Sequence, residues 1–423
     1  MKPTSLLLIL LSAFLTSANK WGYGRDDVSR AISSDSASSG QSTRKLIVCI
    51  DGTSQTPGTV SDVTSQGGVR ITAAMTPSNI VKLAYLAGQA GDNQKVYYHA
   101  GPGTELTNTT QSGLENAFGN IKGHVLDAYT WLAKEYQDGD EIFAFGFSRG
   151  ATIVRSLFSL LREAGLPKYN SSARADEFTT LVNSAYAVYE AQSPQRKNPP
   201  PPPPNPLNMH QNVTLKFIGV FDTVEALNVP DGAVSFLSST WLTKIQESLG
   251  FIEVHDYHDL NIGTKVQHAY HALSMDEKRS FFPPTLFEAV GALPAGHVRE
   301  QKWFRGDHAD IGGGWWEQGL ALVPLTWMTI KAREAGLVMS HPDAFDKAFT
   351  PFLLGVGKEA LEARTSVVLH DYFVGKKDET MMGKKVLRDV KAFLNGLRDK
   401  YYASSLHESV VAFKDKISGS GNM

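Results

Sequence analysis

The chain has 423 residues, of which 42% are hydrophobic and 20% charged, and its formal net charge is −2. This length suits one large α/β domain or two ordinary ones, and the composition is that of a globular protein. The near-neutral charge gives no support for a nucleic-acid partner or for general attraction to anionic membranes. The single cysteine, Cys49, excludes an intramolecular disulfide, and its apolar neighbours predict a buried thiol.

The first twenty residues predict a targeting segment. Lys2 precedes an apolar run over residues 6–15, and small residues follow at positions 16–18. This pattern is typical of a secretory signal peptide over residues 1–18, because the apolar run is too short to span a bilayer comfortably. An uncleaved anchor is the alternative.

Residues 19–43 are rich in Ser, Gly and Asp and predict a flexible leader. Three Asn-x-Ser/Thr sequons follow, at Asn108, Asn170 and Asn212. Sequons of this kind fit a secretory route and a glycoprotein, although so short a motif also occurs by chance. We therefore expect a secreted, extracellular protein.

The elements after the leader alternate between strand and helix. In chain order the pattern predicts a strand over 45–50, an irregular loop over 54–76, a helix over 79–87 capped by Ser78, a strand over 94–99 and a helix over 119–137. Alternation with short connections predicts an α/β fold with a doubly wound, mostly parallel sheet.

The next stretch carries the most specific motif of the chain. An apolar run beginning at Glu141 meets Gly146-Phe-Ser148-Arg-Gly150, and residues with helical apolar spacing follow at once. A strand, a Gly-x-Ser-x-Gly turn and a helix form a nucleophile elbow, which presents the serine hydroxyl at the carboxyl edge of a sheet. The alternative is a turn of small residues as found in any parallel α/β fold.

The second half of the chain continues this pattern with insertions. It predicts a helix over 178–189, a proline-rich surface insertion over 199–206, a strand over 213–221, a cap over 225–262, a helix over 266–273, a strand over 301–304 and a helix over 320–332. The α/β-hydrolase-like catalytic domain is thus expected over 44–340. Residues 341–423 are expected to form a C-terminal extension packed on the same domain.

Ester hydrolysis by a serine needs a base, a carboxylate that orients the base, and donors for the oxyanion. Ser148, Asp222 and His308 follow three predicted strands in the order that doubly wound hydrolases use. Asp276 and Asp310 remain alternatives for the acid.

The predicted oxyanion donors are the N–H of Arg149 and an N–H of the Asp51-Gly52-Thr53 turn, which follows the first strand. Asp51 alternatively fixes its own turn by hydrogen bonds to backbone N–H groups.

Two other histidine and carboxylate interpretations are open. His271 is the reserve candidate for the base, although its predicted helical neighbours favour a structural histidine. Asp51, Asp307 and Asp310 could instead form a metal-dependent phosphoesterase site. The serine mechanism requires no cofactor and no metal.

Six blocks together resemble the type VI secretion phospholipase-effector-like α/β-hydrolases, in collinear order over roughly residues 45 to 335. The blocks are Cys49-Ile-Asp-Gly-Thr53, Tyr98-His-Ala-Gly-Pro-Gly-Thr104, Gly146-Phe-Ser-Arg-Gly-Ala151, Gly219-Val-Phe-Asp-Thr-Val224, His271-Ala-Leu-Ser-Met-Asp-Glu-Lys-Arg279 and Trp303-Phe-Arg-Gly-Asp-His-Ala-Asp-Ile-Gly-Gly-Gly314.

The resemblance implies a Ser-Asp-His esterase, with phospholipase activity in the members that kill competing bacteria. Ser148 and His308 match the motifs of that family, and the acid is the least securely matched. This chain differs from those effectors in its signal peptide, its sequons and its proline run.

The sequence thus predicts an exported serine hydrolase that cleaves carboxylic esters, with a lipid as the first choice of substrate and transient contact with a membrane surface. A small-ester or polysaccharide deacetylating esterase is one alternative. A binding protein on an inactive hydrolase scaffold is another.

Overall fold

The computed structural model describes residues 43–53, 62–64, 70–72, 77–88, 93–102, 121–172, 174–192, 202–210, 212–224, 259–277, 284–288, 292–315 and 317–339. The strands are β1 (Lys45–Ile50), β2 (Asp62–Thr64), β3 (Arg70–Thr72), β4 (Gln94–His99), β5 (Glu141–Phe147), β6 (Leu166–Pro167), β7 (Met209–His210), β8 (Thr214–Phe221), β9 (His268–Ser274) and β10 (Val298–Phe304). The helices are α1 (Asn79–Gly88), α2 (Ile121–Glu135), α3 (Arg149–Ala164), α4 (Ala175–Glu190), α5 (His308–Gly312) and α6 (Leu322–Glu334).

Six of these strands form one sheet in the order β10-β9-β8-β5-β1-β4, and every neighbouring pair is parallel. The predicted α/β class with a mostly parallel sheet is therefore confirmed. From β1 the chain goes to β4 at one edge, then crosses back to β5 on the other side of β1. Ligands of open α/β sheets bind beyond the carboxyl ends of the strands at such a switch point.

The sheet is covered on both faces, which explains why its strands read as continuous apolar runs. All six residues of β1 are buried, and they alternate between two cores. Ile47 and Cys49 face the core under α1 and α6, whereas Leu46, Val48 and Ile50 face the core under α2, α3 and α4. Cys49 is a buried apolar side chain, as the sequence predicts.

Two predicted elements are wrong. Residues 266–273 were expected to be helical, but His268–Ser274 forms β9, which lies between β8 and β10. A central strand buried on both faces loses the alternation that marks a strand, so a short apolar run reads equally well as a helix. The expected loop over 54–76 contains β2 and β3, which pair in antiparallel fashion.

The remaining predicted helices and strands occur within a few residues of their expected bounds. Ser78 caps α1 as predicted, because its hydroxyl oxygen accepts a hydrogen bond from the Val81 N–H at 3.2 Å. Of the proline run, residues 202–205 belong to neither helix nor strand, and a 3₁₀ turn over Pro206–Asn208 leads into β7, which pairs with β6.

Three predicted segments lie wholly or mostly outside the described residues. They are the signal peptide and leader, of which only residue 43 is described, the cap over 225–262, of which only residues 259–262 are described, and the C-terminal extension over 341–423. Within the ranges given above, no helix is both long and apolar enough to cross a membrane.

Candidate active site

Ser148 occupies a sharp turn between β5 and α3, with φ 56° and ψ −122°. A left-handed backbone at a residue with a side chain costs roughly 1–3 kcal/mol, so surrounding contacts must hold it. The Ser148 N–H donates to the Phe221 carbonyl at 3.0 Å, and the Ser148 carbonyl accepts from the Val224 N–H at 3.4 Å. The end of β8 therefore holds the turn in its strained conformation.

The two glycines of the motif allow backbone segments to approach where a side chain would not fit. A Cβ added at Gly150 would lie 2.3 Å from the Asp51 carbonyl oxygen, and one added at Gly146 would lie 2.5 Å from the Gly150 carbonyl oxygen. The first turn of α3 consequently rests directly on the end of β1. This is the close packing that a nucleophile elbow requires.

Asp222, at the end of β8, contacts His308. Its Oδ2 accepts a hydrogen bond from His308 Nδ1 at 2.7 Å, and its Oδ1 accepts from the Ser274 N–H at 2.9 Å. Because an ionised carboxylate can only accept, His308 Nδ1 carries a proton, and in the neutral ring Nε2 has the lone pair. Asp222 is fully buried and has φ 38°, a second strained residue at this sheet edge.

His308 is the first residue of α5, and a capping box fixes that helix. Asp307 Oδ1 accepts hydrogen bonds from the N–H groups of Ala309 and Asp310 and from the indole N–H of Trp315, each at 2.9 Å. Asp310 Oδ2 accepts in return from the Asp307 N–H at 3.0 Å. Burial, and then the nearby Asp310 carboxylate, raise the pKa of Asp307. The Asp-x-x-Asp spacing was the signal in the sequence for this short helix.

The two alternative acids have structural partners instead. Asp276 Oδ2 accepts from Arg305 Nε at 2.6 Å and from the Gly306 N–H at 2.7 Å, while Asp310 belongs to the capping box. Of the three candidate acids, Asp222 is thus the one that pairs with His308.

His271 also has a structural environment. It is fully buried on β9, and its Nε2 accepts a hydrogen bond from the Thr223 N–H at 3.1 Å. Burial lowers the pKa of His271 to about 3, which keeps the ring neutral and able to accept. Its Nδ1 lies 3.1 Å from Gln301 Oε1. His271 therefore holds the backbone directly after Asp222.

The turn after β1 differs in one detail from the prediction. The Gly52 N–H donates to Asp51 Oδ1 at 2.7 Å, so Asp51 fixes its own turn, which was the alternative interpretation of that residue. Asp51 Oδ2 accepts from Ser78 at 2.7 Å and from Tyr98 at 2.9 Å. Burial raises the pKa of Asp51 to about 6. This leaves Thr53 as the candidate donor of the turn.

Arg149 links that turn to the elbow, because its Nε donates to Thr53 Oγ1. The guanidinium is largely buried, and burial lowers the pKa of Arg149 to about 10. The residues on either side of the expected oxyanion position, Thr53 and Arg149, are therefore joined by a side-chain hydrogen bond.

Phe147 is a part of the site that sequence reasoning missed. Its ring centroid lies 4.7 Å from that of His308. A Cβ added at Gly52 would lie 2.6 Å from this ring, and one added at Gly312 would lie 2.1 Å from it. Phe147 thus separates the turn after β1 from α5 and packs against the ring of His308.

The carboxylates of the metal hypothesis do not converge. Asp51, Asp307 and Asp310 form no group of ligand atoms close enough for one ion, and each has the hydrogen-bond partners described above. At this sheet edge Asp222 pairs with His308, and the Ser148 turn is hydrogen-bonded to Phe221, the residue before Asp222.

The sequence model of the family described as "T6SS, Phospholipase effector Tle1-like, catalytic domain" matches residues 44–331. The chain belongs to this family. An uncharacterized protein of Saccharomyces cerevisiae, YEL023C, is 26% identical over 294 residues, which cover 65% of this chain and 36% of the yeast protein. The chain therefore spans about a third of that relative.

Two solved structures show weaker similarity. An uncharacterized protein from Pseudomonas aeruginosa has a TM-score of 0.38 and 15% identity, covering 87% of this chain and 54% of its own. The Tle1 effector bound to the VgrG spike of the type 6 secretion system has a TM-score of 0.36 and 14% identity, covering 64% and 51%. At these TM-scores, neither similarity adds to the family assignment.

Proposed function

We propose that this protein is a serine hydrolase of the lipase and phospholipase type, which cleaves carboxylic esters with Ser148, His308 and Asp222. The observation that carries the proposal is the hydrogen bond of 2.7 Å from His308 Nδ1 to Asp222 at the sheet edge where the elbow presents Ser148. The family description, a phospholipase effector catalytic domain, supports a lipid ester as the substrate.

In the proposed reaction, His308 Nε2 accepts the hydroxyl proton as Ser148 Oγ attacks the ester carbonyl. The buried Asp222 carboxylate stabilises the imidazolium that forms, and the same ring then donates the proton to the leaving alcohol. The backbone N–H groups of Arg149 and Thr53 stabilise the oxyanion. Water, activated by His308, hydrolyses the acyl-enzyme.

A fluorophosphonate probe tests the activated serine. We expect the wild-type protein to be labelled, and Ser148→Ala and His308→Ala to remain unlabelled while still folded by circular dichroism. Ser171→Ala, at an exposed serine whose change keeps the Asn170 sequon, is the matched control and should be labelled like the wild type. Absence of labelling in folded wild-type protein would refute the triad and favour the inactive binding protein.

A substrate panel then tests the lipid. We expect p-nitrophenyl esters with long acyl chains and phospholipid vesicles to be hydrolysed faster than acetate esters. A preference for acetyl esters or for acetylated polysaccharide would contradict the lipid substrate while leaving the serine mechanism in place.

We also propose that the protein is exported and glycosylated. Asn170 and Asn212 are exposed, which is a requirement for an acceptor site. Expression in a eukaryotic secretory host should yield a mature protein that begins after residue 18, with a glycosidase-sensitive mass that decreases in Asn170→Gln and Asn212→Gln. An intracellular, unmodified product would contradict this proposal.

A further inference from the structure

Among the described residues, one group of three metal-ligating side chains converges, and it lies outside the site discussed above. His99, His124 and Asp127 each offer a ligand atom, and these atoms lie within 4.8 Å of one another. His99 ends β4 at the edge of the sheet. His124 and Asp127 are three residues apart on α2, so their side chains lie on one face of that helix.

We propose that these three side chains bind a divalent transition metal of the zinc type. Imidazole nitrogen and carboxylate oxygen are the ligands that Zn²⁺ takes from proteins besides thiolate, and three protein ligands leave a fourth position for water. Two imidazoles and one carboxylate are a poor set for Mg²⁺ or Ca²⁺, which prefer oxygen ligands. The chemistry of the donors thus favours Zn²⁺ over the hard cations.

His99 has the hydrogen-bond pattern expected of a histidine that binds a metal. Its Nδ1 lies 2.5 Å from the Ala100 carbonyl oxygen, and because a carbonyl only accepts, Nδ1 must carry the proton. The neutral ring then has its lone pair on Nε2, which is the atom left for a metal. Metal-bound histidines almost always donate their other ring N–H to a carbonyl, a carboxylate or water.

The distances fit with a small adjustment of side chains. The rings of His99 and His124 have centroids 4.7 Å apart at an interplanar angle of 71°. Ligand atoms bonded tetrahedrally at 2.0–2.2 Å are separated by about 3.4 Å, so no pair of ligand atoms here needs to close by more than roughly 1.4 Å. His124 is buried and Asp127 is exposed, so the carboxylate can turn inward without moving the backbone.

The site also has a connection to the turn after β1. The Ala100 carbonyl that His99 holds immediately precedes Gly101, and a Cβ added at Gly101 would lie 1.6 Å from the Gly52 carbonyl oxygen. A metal on His99 would therefore fix a segment that packs against Gly52. We expect Zn²⁺ to raise the melting temperature of the protein.

The test uses tag-free, full-length mature protein that has been dialysed against a chelator and then into metal-free buffer. Zn²⁺ is titrated against a chromophoric chelator, and Co²⁺ is added separately to observe tetrahedral d–d absorption. We expect one Zn²⁺ per chain in the wild type. Since loss of even an outer-shell partner weakens metal binding 10–100-fold, His124→Ala should weaken it by about 100-fold or more.

Asp127→Asn is the second variant, because this exposed side chain can change without disturbing the core. We expect it to weaken Zn²⁺ binding by about 10-fold or more. His210→Ala is the matched control, since His210 also pairs with an aspartate, Asp138, at 2.7 Å but is in no three-ligand group of the described residues. Absence of Zn²⁺ binding in the wild type, or unchanged affinity in both variants, would overturn the proposal.

Discussion

The substitution Asp222→Asn tests the acid–base pair through the direction of two hydrogen bonds. Asp222 Oδ1 accepts from the Ser274 N–H at 2.9 Å, and Oδ2 accepts from His308 Nδ1 at 2.7 Å. An amide has one oxygen and one NH₂ group, so only one of these two bonds can keep its polarity.

If the amide oxygen remains on Ser274, the NH₂ group faces His308 Nδ1 and stabilises the tautomer whose proton is on Nε2. That ring cannot accept the proton of Ser148. The opposite orientation places NH₂ against the Ser274 N–H, and both groups are fully buried, so this donor pair is unfavourable. In the more stable form of the variant, His308 therefore has the tautomer that cannot accept the proton of Ser148.

If the proposed triad is correct, we expect kcat to fall by about 10⁴-fold, which is the loss seen for this change in a Ser-His-Asp protease and corresponds to about 5 kcal/mol of transition-state stabilisation. The assay is hydrolysis of a p-nitrophenyl ester, with folding verified by circular dichroism. Asp276→Asn is the matched control and should stay within about tenfold of the wild type, because that carboxylate pairs with Arg305. Activity of Asp222→Asn within tenfold of the wild type would refute the role of the pair.

Three further changes test the framework of the site. Gly150→Ala places a Cβ against a backbone carbonyl and should lower the free energy of unfolding by about 3 kcal/mol, whereas Gly88→Ala, whose Cβ has ordinary contacts, should change it little. Arg155→Met leaves three backbone carbonyls without their buried donor and should cost roughly 3 kcal/mol, compared with less than about 0.5 kcal/mol for the exposed Arg174→Met. His271→Gln should make the free energy of unfolding decrease less steeply as the pH is lowered.

The sign of the last effect follows from the pKa of His271, which burial lowers to about 3 from about 6.5 in the unfolded chain. The unfolded state binds the extra proton, so stability is lost as the pH falls from about 6.5 towards 3. Chemical denaturation at several pH values measures all three changes. The first prediction is contradicted if Gly150→Ala is as stable as Gly88→Ala, and the second if Arg155→Met is as stable as Arg174→Met. The third is contradicted if the stability of His271→Gln depends on pH in the same way as that of the wild type.

The sequence predicted the parallel sheet and the elbow because both depend on local signals. β1 and β8 are long runs of buried residues, and glycines two residues before and after a serine, here at positions 146 and 150, are typical of a nucleophile elbow. It could not distinguish a helix from a strand over β9, since both faces of that strand are covered.

The sequence favoured Asp222 as the partner of His308 but could not exclude Asp276 and Asp310. Asp222 and Asp310 follow predicted strands and Asp276 follows a segment predicted as a helix, and their hydrogen bonds depend on how strands far apart in the chain are placed side by side. The contact of Phe147 with His308 joins residues on β5 and α5 and has no local signal either. Strand register and long-range packing decide such contacts, and the spacing of apolar residues in the sequence does not indicate them.

The order of strands has a consequence for the synthesis of this protein. Ser148 is held by the end of β8, Asp222 is bonded to the end of β9, and His308 arrives only after β10. Contacts between segments so distant in the chain form late in folding. When a chain still on the ribosome has exposed only β1, β4, β5 and β8, Ser148 is already made but the proposed base, His308, is not. Any hydrolytic activity begins only once residue 308 has been made and has folded back onto the sheet.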